Sequence, residues 1–291
     1  MKKYGKNCQV NITIDGCKEL HDKCRLFPNG QGSYDLALAA GLDGLSKGNI
    51  GTKITISPDN INYLYPGIKN MINIGFSDIY ANCVFEDVWH NQQDIINYYN
   101  ELKKIADYFI DNNLNDKIYF RIFDPINYNP LKEEGGEEKW CGTSSCMYSI
   151  DWKGDIFTCI RFMESSLGND APPLIIGNVN HGIGYTPEEK QVLEKFKNYN
   201  KKNVSEKKCL ECPIESGCAW CAGCSYQLTK NLKHRTTTIC ECHKAECLAT
   251  IYYYKKLNDL ETLNQINRNF NFDFVKNIIS KSEYDYLIKE V

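Results

Sequence analysis

Eleven of the fifteen cysteines in this chain of 291 residues fall between Cys141 and Cys247, and only Cys8, Cys17, Cys24 and Cys83 lie before them. An odd number of cysteines cannot pair completely within one chain. The N-terminus, Met1-Lys2-Lys3-Tyr4-Gly5-Lys6, carries charge with no apolar stretch behind it, so no secretory signal is read and a cytoplasmic location is expected. In that compartment thiols stay reduced, and dense clustering then points to coordination chemistry. No apolar run approaches the roughly 20 residues that span a bilayer. A net charge of −3 gives no general nucleic-acid-binding surface. The pairs Lys201-Lys202 and Lys207-Lys208 read as solvated faces.

The first 131 residues read as alternating strands and helices. Residues 9–14, Gln-Val-Asn-Ile-Thr-Ile, alternate apolar and polar before the turn at Asp15-Gly16. A helix is expected over 33–47, a strand over 53–56, and a helix over 60–74 with Pro66 as a break near its middle. A strand over 78–85, an amphipathic helix over 91–113 and a strand over 117–123 complete the set. The long helix carries Ile95, Ile96, Tyr99, Leu102, Ile105, Ala106 and Phe109 at helical spacing. Four strands and three helices in alternation argue for an α/β fold with a parallel sheet, about half of a closed barrel. Residues 132–140, with Glu133-Glu134-Gly135-Gly136-Glu137-Glu138, read as a linker. Residues 141–247 form the cysteine-rich module, expected as a small α+β domain, and 248–291 a helical tail. Within this region a helix is expected over 244–262.

The cysteines fall into three groups: Cys141-x4-Cys146-x12-Cys159, then Cys209-x2-Cys212-x5-Cys218-x2-Cys221-x2-Cys224, then Cys240-x-Cys242-x4-Cys247. The segment 147–157 reads as a hairpin, which would set Cys146 beside Cys159. A Cys-x2-Cys pair lets two thiolates face one metal from a tight turn. Structural zinc needs four such ligands, and iron–sulfur clusters need sets of four thiolates, often distant in sequence. Packed thiols without metal are the third reading, which this density disfavours. Spacing alone leaves zinc and iron–sulfur level.

The pattern Cys141, Gly154-Asp-Ile-Phe-Thr-Cys159, Cys209-x2-Cys212-x5-Cys218-x2-Cys221 and a late Cys240 resembles the SPASM domain of radical S-adenosylmethionine (radical SAM) enzymes that modify peptides. The resemblance covers about 100 residues. It implies two auxiliary [4Fe–4S] clusters, one held by Cys141, Cys146, Cys159 and Cys221, the other by Cys209, Cys212, Cys218 and Cys240. Cys224, Cys242 and Cys247 are then left over, with Cys224 the first alternative to Cys221. The N-terminal part resembles the fourth strand and following loop of the radical SAM barrel: Thr13-Ile14-Asp15-Gly16, His21-Asp22, Arg25 and Gly30-x-Gly32-Ser33-Tyr34. That likeness implies Thr13 and Arg25 as contacts to the S-adenosylmethionine carboxylate, although Arg25 reads equally well as a structural ion-pair residue. His21 reads as a residue that orders the loop. Residues 175–185 also resemble the segment between the cysteine groups of these enzymes. Within the family the chain resembles maturases of ribosomal peptides with repeated Cys-x3 units.

The Cys-x3-Cys-x2-Cys motif, which in that family holds the cluster that cleaves S-adenosylmethionine, is absent from this sequence. The chain therefore resembles a C-terminal half-barrel plus SPASM domain. S-adenosylmethionine and a third cluster are expected only if an N-terminal partner polypeptide completes the barrel; without one, the open edges are expected to drive self-association or to leave the N-terminal half unstable and aggregation-prone. The family likeness implies a Cys-containing precursor peptide as substrate and a flavodoxin-type reductase as electron donor. Sulfatase maturases place an Asp after the third cysteine; here Ile160 stands there, which favours a thioether or other radical cross-link over formylglycine formation. The rivals are a non-catalytic iron–sulfur module for electron transfer or peptide binding, and a structural zinc protein.

Overall fold

The computed structural model describes residues 11–48, 50–128, 141–143 and 145–289. Cys8 and the expected linker 132–140 lie outside these. The chain divides into two compact units, one made of residues 1–127 and 239–291, the other of 128–238.

The first unit is built on a parallel four-stranded sheet in the order β1 (Asn11–Thr13), β2 (Gly51–Ile56), β3 (Asp78–Cys83), β4 (Tyr119–Phe120). The register pairs Thr13 with Lys53, Ile54 with Ala81, and Ile79 with Phe120. Along β2, Ile54 and Ile56 are buried while Lys53 before them is exposed, in keeping with the period of two that the sequence displays. Helices α1 (Lys18–Cys24), α2 (Tyr34–Lys47), α3 (Leu64–Ile74) and α4 (Gln92–Asp111) connect the strands. In α4 the apolar stripe of Ile95, Tyr99, Leu102, Ile105, Ala106 and Phe109 is buried, with Tyr98 in place of the expected Ile96. The helix starts where Asn91 accepts a hydrogen bond from the Gln93 amide.

Three local expectations change. The helix expected over 60–74 is a 3₁₀ turn over Pro58–Tyr63 followed by α3, so Pro66 sits in the first turn of α3 instead of breaking its middle. There its missing N–H removes no helical hydrogen bond. The strand expected over 117–123 stops at Phe120 and turns into a 3₁₀ segment, Arg121–Phe123. That turn puts Phe123 edge-on to Phe120 and stacked on Tyr253, with centroids 5.1 and 4.7 Å apart. Residues 18–24, read as loop, form the short helix α1.

The C-terminal segment packs on this sheet unit. Its main helix, Cys240–Lys256, lies against α4, burying Leu248, Ala249 and Ile251. Thr250 Oγ1 donates to the Ile122 carbonyl and the Tyr254 hydroxyl to that of Phe123, each at 2.9 Å. The helix expected over 244–262 thus begins four residues earlier, and a separate short helix, Leu260–Leu263, follows it.

The second unit contains the hairpin expected over 147–157: β5 (Ser149–Ile150) pairs antiparallel with β6 (Asp155–Phe157). Gly154 makes its turn at a φ of +83°. Two further strands, β7 (Gly177–Asn178) and β8 (Gly182–Ile183), extend the sheet. A capping box between Thr186 and Glu189 starts the helix Pro187–Lys197. Phe157, Phe162, Phe196, Tyr199, Trp220 and Tyr226 form the core of this unit.

Candidate functional site

Cys141 and Cys146 lie on a turn wrapped around one carbonyl. The amides of Ser145, Cys146 and Met147 all converge on Gly142 O at 2.9–3.0 Å. A Cβ at Gly142 would meet Cys146 Sγ at 2.8 Å, so the glycine lets this sulfur fold back over the turn. Cys141 Sγ lies 3.2 Å from the hydroxyl of the buried Thr143.

Cys159 follows β6, and Cys221 caps the helix Ala222–Thr229, its Sγ accepting from the Cys224 amide at 3.4 Å. Burial pushes the Cys221 thiol above its ordinary pKa. The helix-start amides and the Arg161 guanidinium pull the other way, and the Cys159 charge reinforces the rise. Gly223 lets the chain of Arg161 approach, since a Cβ there would sit 2.2 Å from Arg161 Cβ. Tyr199 is held neutral by burial, with Cys221 and Cys141 both close enough to add to the rise. Cys159 thus acts on the Cys221 charge, Cys221 and Cys141 both act on Tyr199, and Cys146 sits on the Cys141 turn. Cys141, Cys146, Cys159 and Cys221 are all outside any disulfide. Thr158, fully buried beside Cys159 in sequence, has a hydroxyl with no hydrogen-bond partner among the described residues. Thiolates are the donor type that an iron–sulfur core takes. Among the described residues no three His, Cys, Asp or Glu side chains are gathered as for one metal ion.

Cys209, Cys212 and Cys218 lie on consecutive turns, in which the Cys212 amide bonds to Cys209 O, that of Glu215 to Cys212 O, and that of Cys218 to Glu215 O. Glu215 anchors this knuckle. Its carboxylate meets Lys201 Nζ at 2.8 Å and Arg235 Nη1 at 3.2 Å, all three side chains being buried. Arg235 also hydrogen-bonds Cys209, feels the charge of Cys218, and stacks over Trp220 at 4.9 Å. Lys201 is therefore not the solvated residue its Lys-Lys context suggests; Lys202, Lys207 and Lys208 are exposed. Glu215, Lys201 and Arg235 were not legible as site residues, because nothing local in the sequence pairs them.

Cys240 is the first residue of the helix Cys240–Lys256 in the sheet unit, and Cys224, Cys242 and Cys247 are buried. Cys242 shares a hydrogen bond with Cys83 at the end of β3. The Tyr98 hydroxyl donates to Glu246 Oε1 at 2.7 Å beside them. This packed cluster involves Cys83, which its isolation in the sequence gave no reason to single out.

In the sheet unit, Thr13 is the last residue of β1 and half-buried. Asp15, almost fully buried, takes the Nε–H of Arg25 on Oδ2 and the Thr55 amide on Oδ1. The ion pair orients Arg25, whose side chain remains 41% exposed. His21 accepts the Asp15 amide on Nδ1 at 3.1 Å, so its proton sits on Nε2 and is donated to Ser33 Oγ, also at 3.1 Å. Asp22 accepts the Tyr34 amide at 2.8 Å. Asp15, His21, Asp22, Arg25, Ser33 and Tyr34, all from the N-terminal resemblance, are thus tied together by hydrogen bonds.

No protein-family model matches this chain, and no curated protein matches it in sequence. Among solved structures it is similar to anSMEcpe, a radical SAM/SPASM anaerobic sulfatase maturase. The polyhistidine-tagged form with bound AdoMet aligns with a TM-score of 0.58 at 15% identity, covering 93% of this chain and 68% of that one. Native anSMEcpe with bound AdoMet and the Cp18Cys peptide aligns with a TM-score of 0.58 at 16% identity, covering 88% and 70%. The complex with the Kp18Cys peptide aligns at 0.57 and 15% identity, covering 88% and 69%. At these identities the likeness shows a shared α/β fold. No described helix is long and apolar enough to cross a membrane.

Proposed function

We propose that this chain is a component of a radical SAM peptide maturase, binding two auxiliary [4Fe–4S] clusters and helping to modify a Cys-containing precursor peptide through a thioether or other radical cross-link. The observation that carries the reading is that Cys159 acts on the charge of Cys221, and Cys221 and Cys141 both act on Tyr199, with Cys146 folded over the Cys141 turn, inside a fold shared with a radical SAM/SPASM enzyme. These four would hold one cluster; Cys209, Cys212, Cys218 and Cys240 would hold the other. Bound there, the clusters would supply electron transfer or an open iron position for a substrate thiolate.

The chain's own residues do the positioning. Cys221 offers its sulfur at a helix N-terminus, where the Cys224 amide favours negative charge. Glu215 fixes the knuckle of the second set through Lys201 and Arg235. Arg25, oriented by Asp15, keeps its outer edge for a carboxylate, and Thr13 at the end of β1 adds a hydroxyl; this pair would hold the S-adenosylmethionine carboxylate. Neutral His21 orders the loop between them and Ser33. The sequence offers no Cys-x3-Cys-x2-Cys, so the cleaving cluster would be held by residues outside this sequence, with a flavodoxin-type reductase as donor. Ile160, exposed after Cys159, has no acid–base group with which to form formylglycine.

The chain reconstituted anaerobically with iron and sulfide tests this reading. Reduced and given S-adenosylmethionine, it should form no 5′-deoxyadenosine alone. Mixed with a polypeptide bearing Cys-x3-Cys-x2-Cys, it should form 5′-deoxyadenosine and remove two hydrogens from the precursor peptide. Turnover by the chain alone would overturn the reading that the cleaving cluster lies outside these residues, and no change in the peptide would overturn the maturase reading.

A further inference from the structure

The second unit contains a half-open cleft of about 780 Å³ remote in sequence from the first cysteine group, between the helix Pro187–Lys197 and the turn that follows the helix Ala222–Thr229. Its volume falls in the range of built ligand sites. The floor is apolar: Leu174, Val204 and Tyr226 are buried there, with Leu232 partly buried beside them. The walls are locked before any ligand arrives. The Tyr226 hydroxyl donates to Pro172 O at 2.9 Å, the Asn203 side-chain amide to Asn198 O at 3.1 Å, and the Arg235 backbone amide to Val204 O at 2.9 Å. A preformed cleft of this kind binds with little ordering cost.

The rim is basic. Lys195 stands on one side, and Lys230 and Lys233 on the other. Lys195 and Lys233 join no ion pair among the described residues. The acidic residue of the lining, Glu194, is neutralised by Lys197 at 2.5 Å. A chain of net charge −3 therefore gathers lysines without acidic partners, among the described residues, around an apolar floor.

We propose that this cleft docks an acidic peptide segment, one apolar side chain entering the floor and flanking carboxylates meeting Lys195 and Lys233. The proposal deepens the peptide-maturase reading and rests on it for the kind of molecule bound. Lysines are point charges that accept carboxylates in any orientation. The lining holds no Arg to grip phosphate bidentately, and its Tyr226 is too buried to stack on a base, which argues against nucleic acid.

The test uses fluorescence anisotropy on the full chain with a short labelled peptide in which Leu is flanked by Glu residues. Binding should be saturable and weaken with salt. The double variant Lys195→Glu/Lys233→Glu should weaken it about tenfold, and Lys233→Gln alone by a smaller factor. Both lysines are exposed, so the fold should tolerate the changes. Replacing the peptide's Leu by Asn should also weaken binding. Equal affinity for the charge-reversed chain, equal binding of a Lys-flanked peptide, or preference for a single-stranded RNA would overturn the proposal. Iron measured on the same samples separates the two readings: peptide binding without iron would sink the clusters alone, and iron without peptide binding would sink the cleft alone.

Discussion

Lys201 Nζ lies 2.8 Å from Glu215 Oε2, and both side chains are buried. The other carboxylate oxygen takes Arg235 Nη1 at 3.2 Å, so one anion holds two cations inside a unit that also carries most of the cysteines. The arrangement pins the Cys209–Cys218 knuckle to two distant stretches of chain. Removing Glu215 leaves two buried cations without their anion. Glu215→Ala should therefore cost about 3–5 kcal/mol, read as a lower urea midpoint, with iron lost from the second cluster set.

The cysteines divide into proposed ligands and packed thiols, and single substitutions should tell them apart. Cys159→Ala should reduce iron from about eight to about four per chain by removing one [4Fe–4S] cluster. Cys242→Ala should leave the iron count unchanged, because this thiol is buried against Cys83 in the sheet unit. Iron and sulfide assays on the two variants are the check.

His21 makes the stability of the sheet unit pH-dependent. Burial lowers its pKa in the folded chain below 6.5, with Arg25 adding to the effect and Asp15 opposing it. The unfolded chain then binds a proton more readily than the folded one. The contribution is fully present above the unfolded value and is lost as pH falls below about 6.5 and through the folded pKa. Urea midpoints should drop between about pH 7.5 and about pH 5.5, and His21→Gln should flatten that drop.

Gly16 adopts a φ of +70°, and a Cβ there would meet Gly67 Cα at 2.7 Å. The turn after β1 and the start of α3 approach so closely that neither backbone admits a side chain. Gly16→Ala should destabilise the chain by about 1–3 kcal/mol through backbone strain and overpacking. Thermal unfolding of the single variant measures it.

Periodicity made much of the fold legible. The buried stripe of α4 and the alternation in β2 follow from residues within one element, as does the β5–β6 hairpin around Gly154. Long-range pairings were not legible. Nothing local marks Cys240–Lys256 as the helix that packs on α4, or brings Cys83 to Cys242. Lys201 shows the same limit in the site: a Lys-Lys pair has the composition of a solvated face, and only the buried Glu215 gives it another place. Pro66 and the turn after Phe120 moved because capping and aromatic packing, neither visible in a short window, decided where the elements begin and end.

Iron, zinc and acid-labile sulfide counted on chain prepared without oxygen test the central claim most directly. Two thiolate sets around inorganic cores predict about eight iron and about eight sulfide per chain, with iron in the electronic state of [4Fe–4S] clusters by Mössbauer spectroscopy. Stoichiometric zinc without sulfide would contradict it.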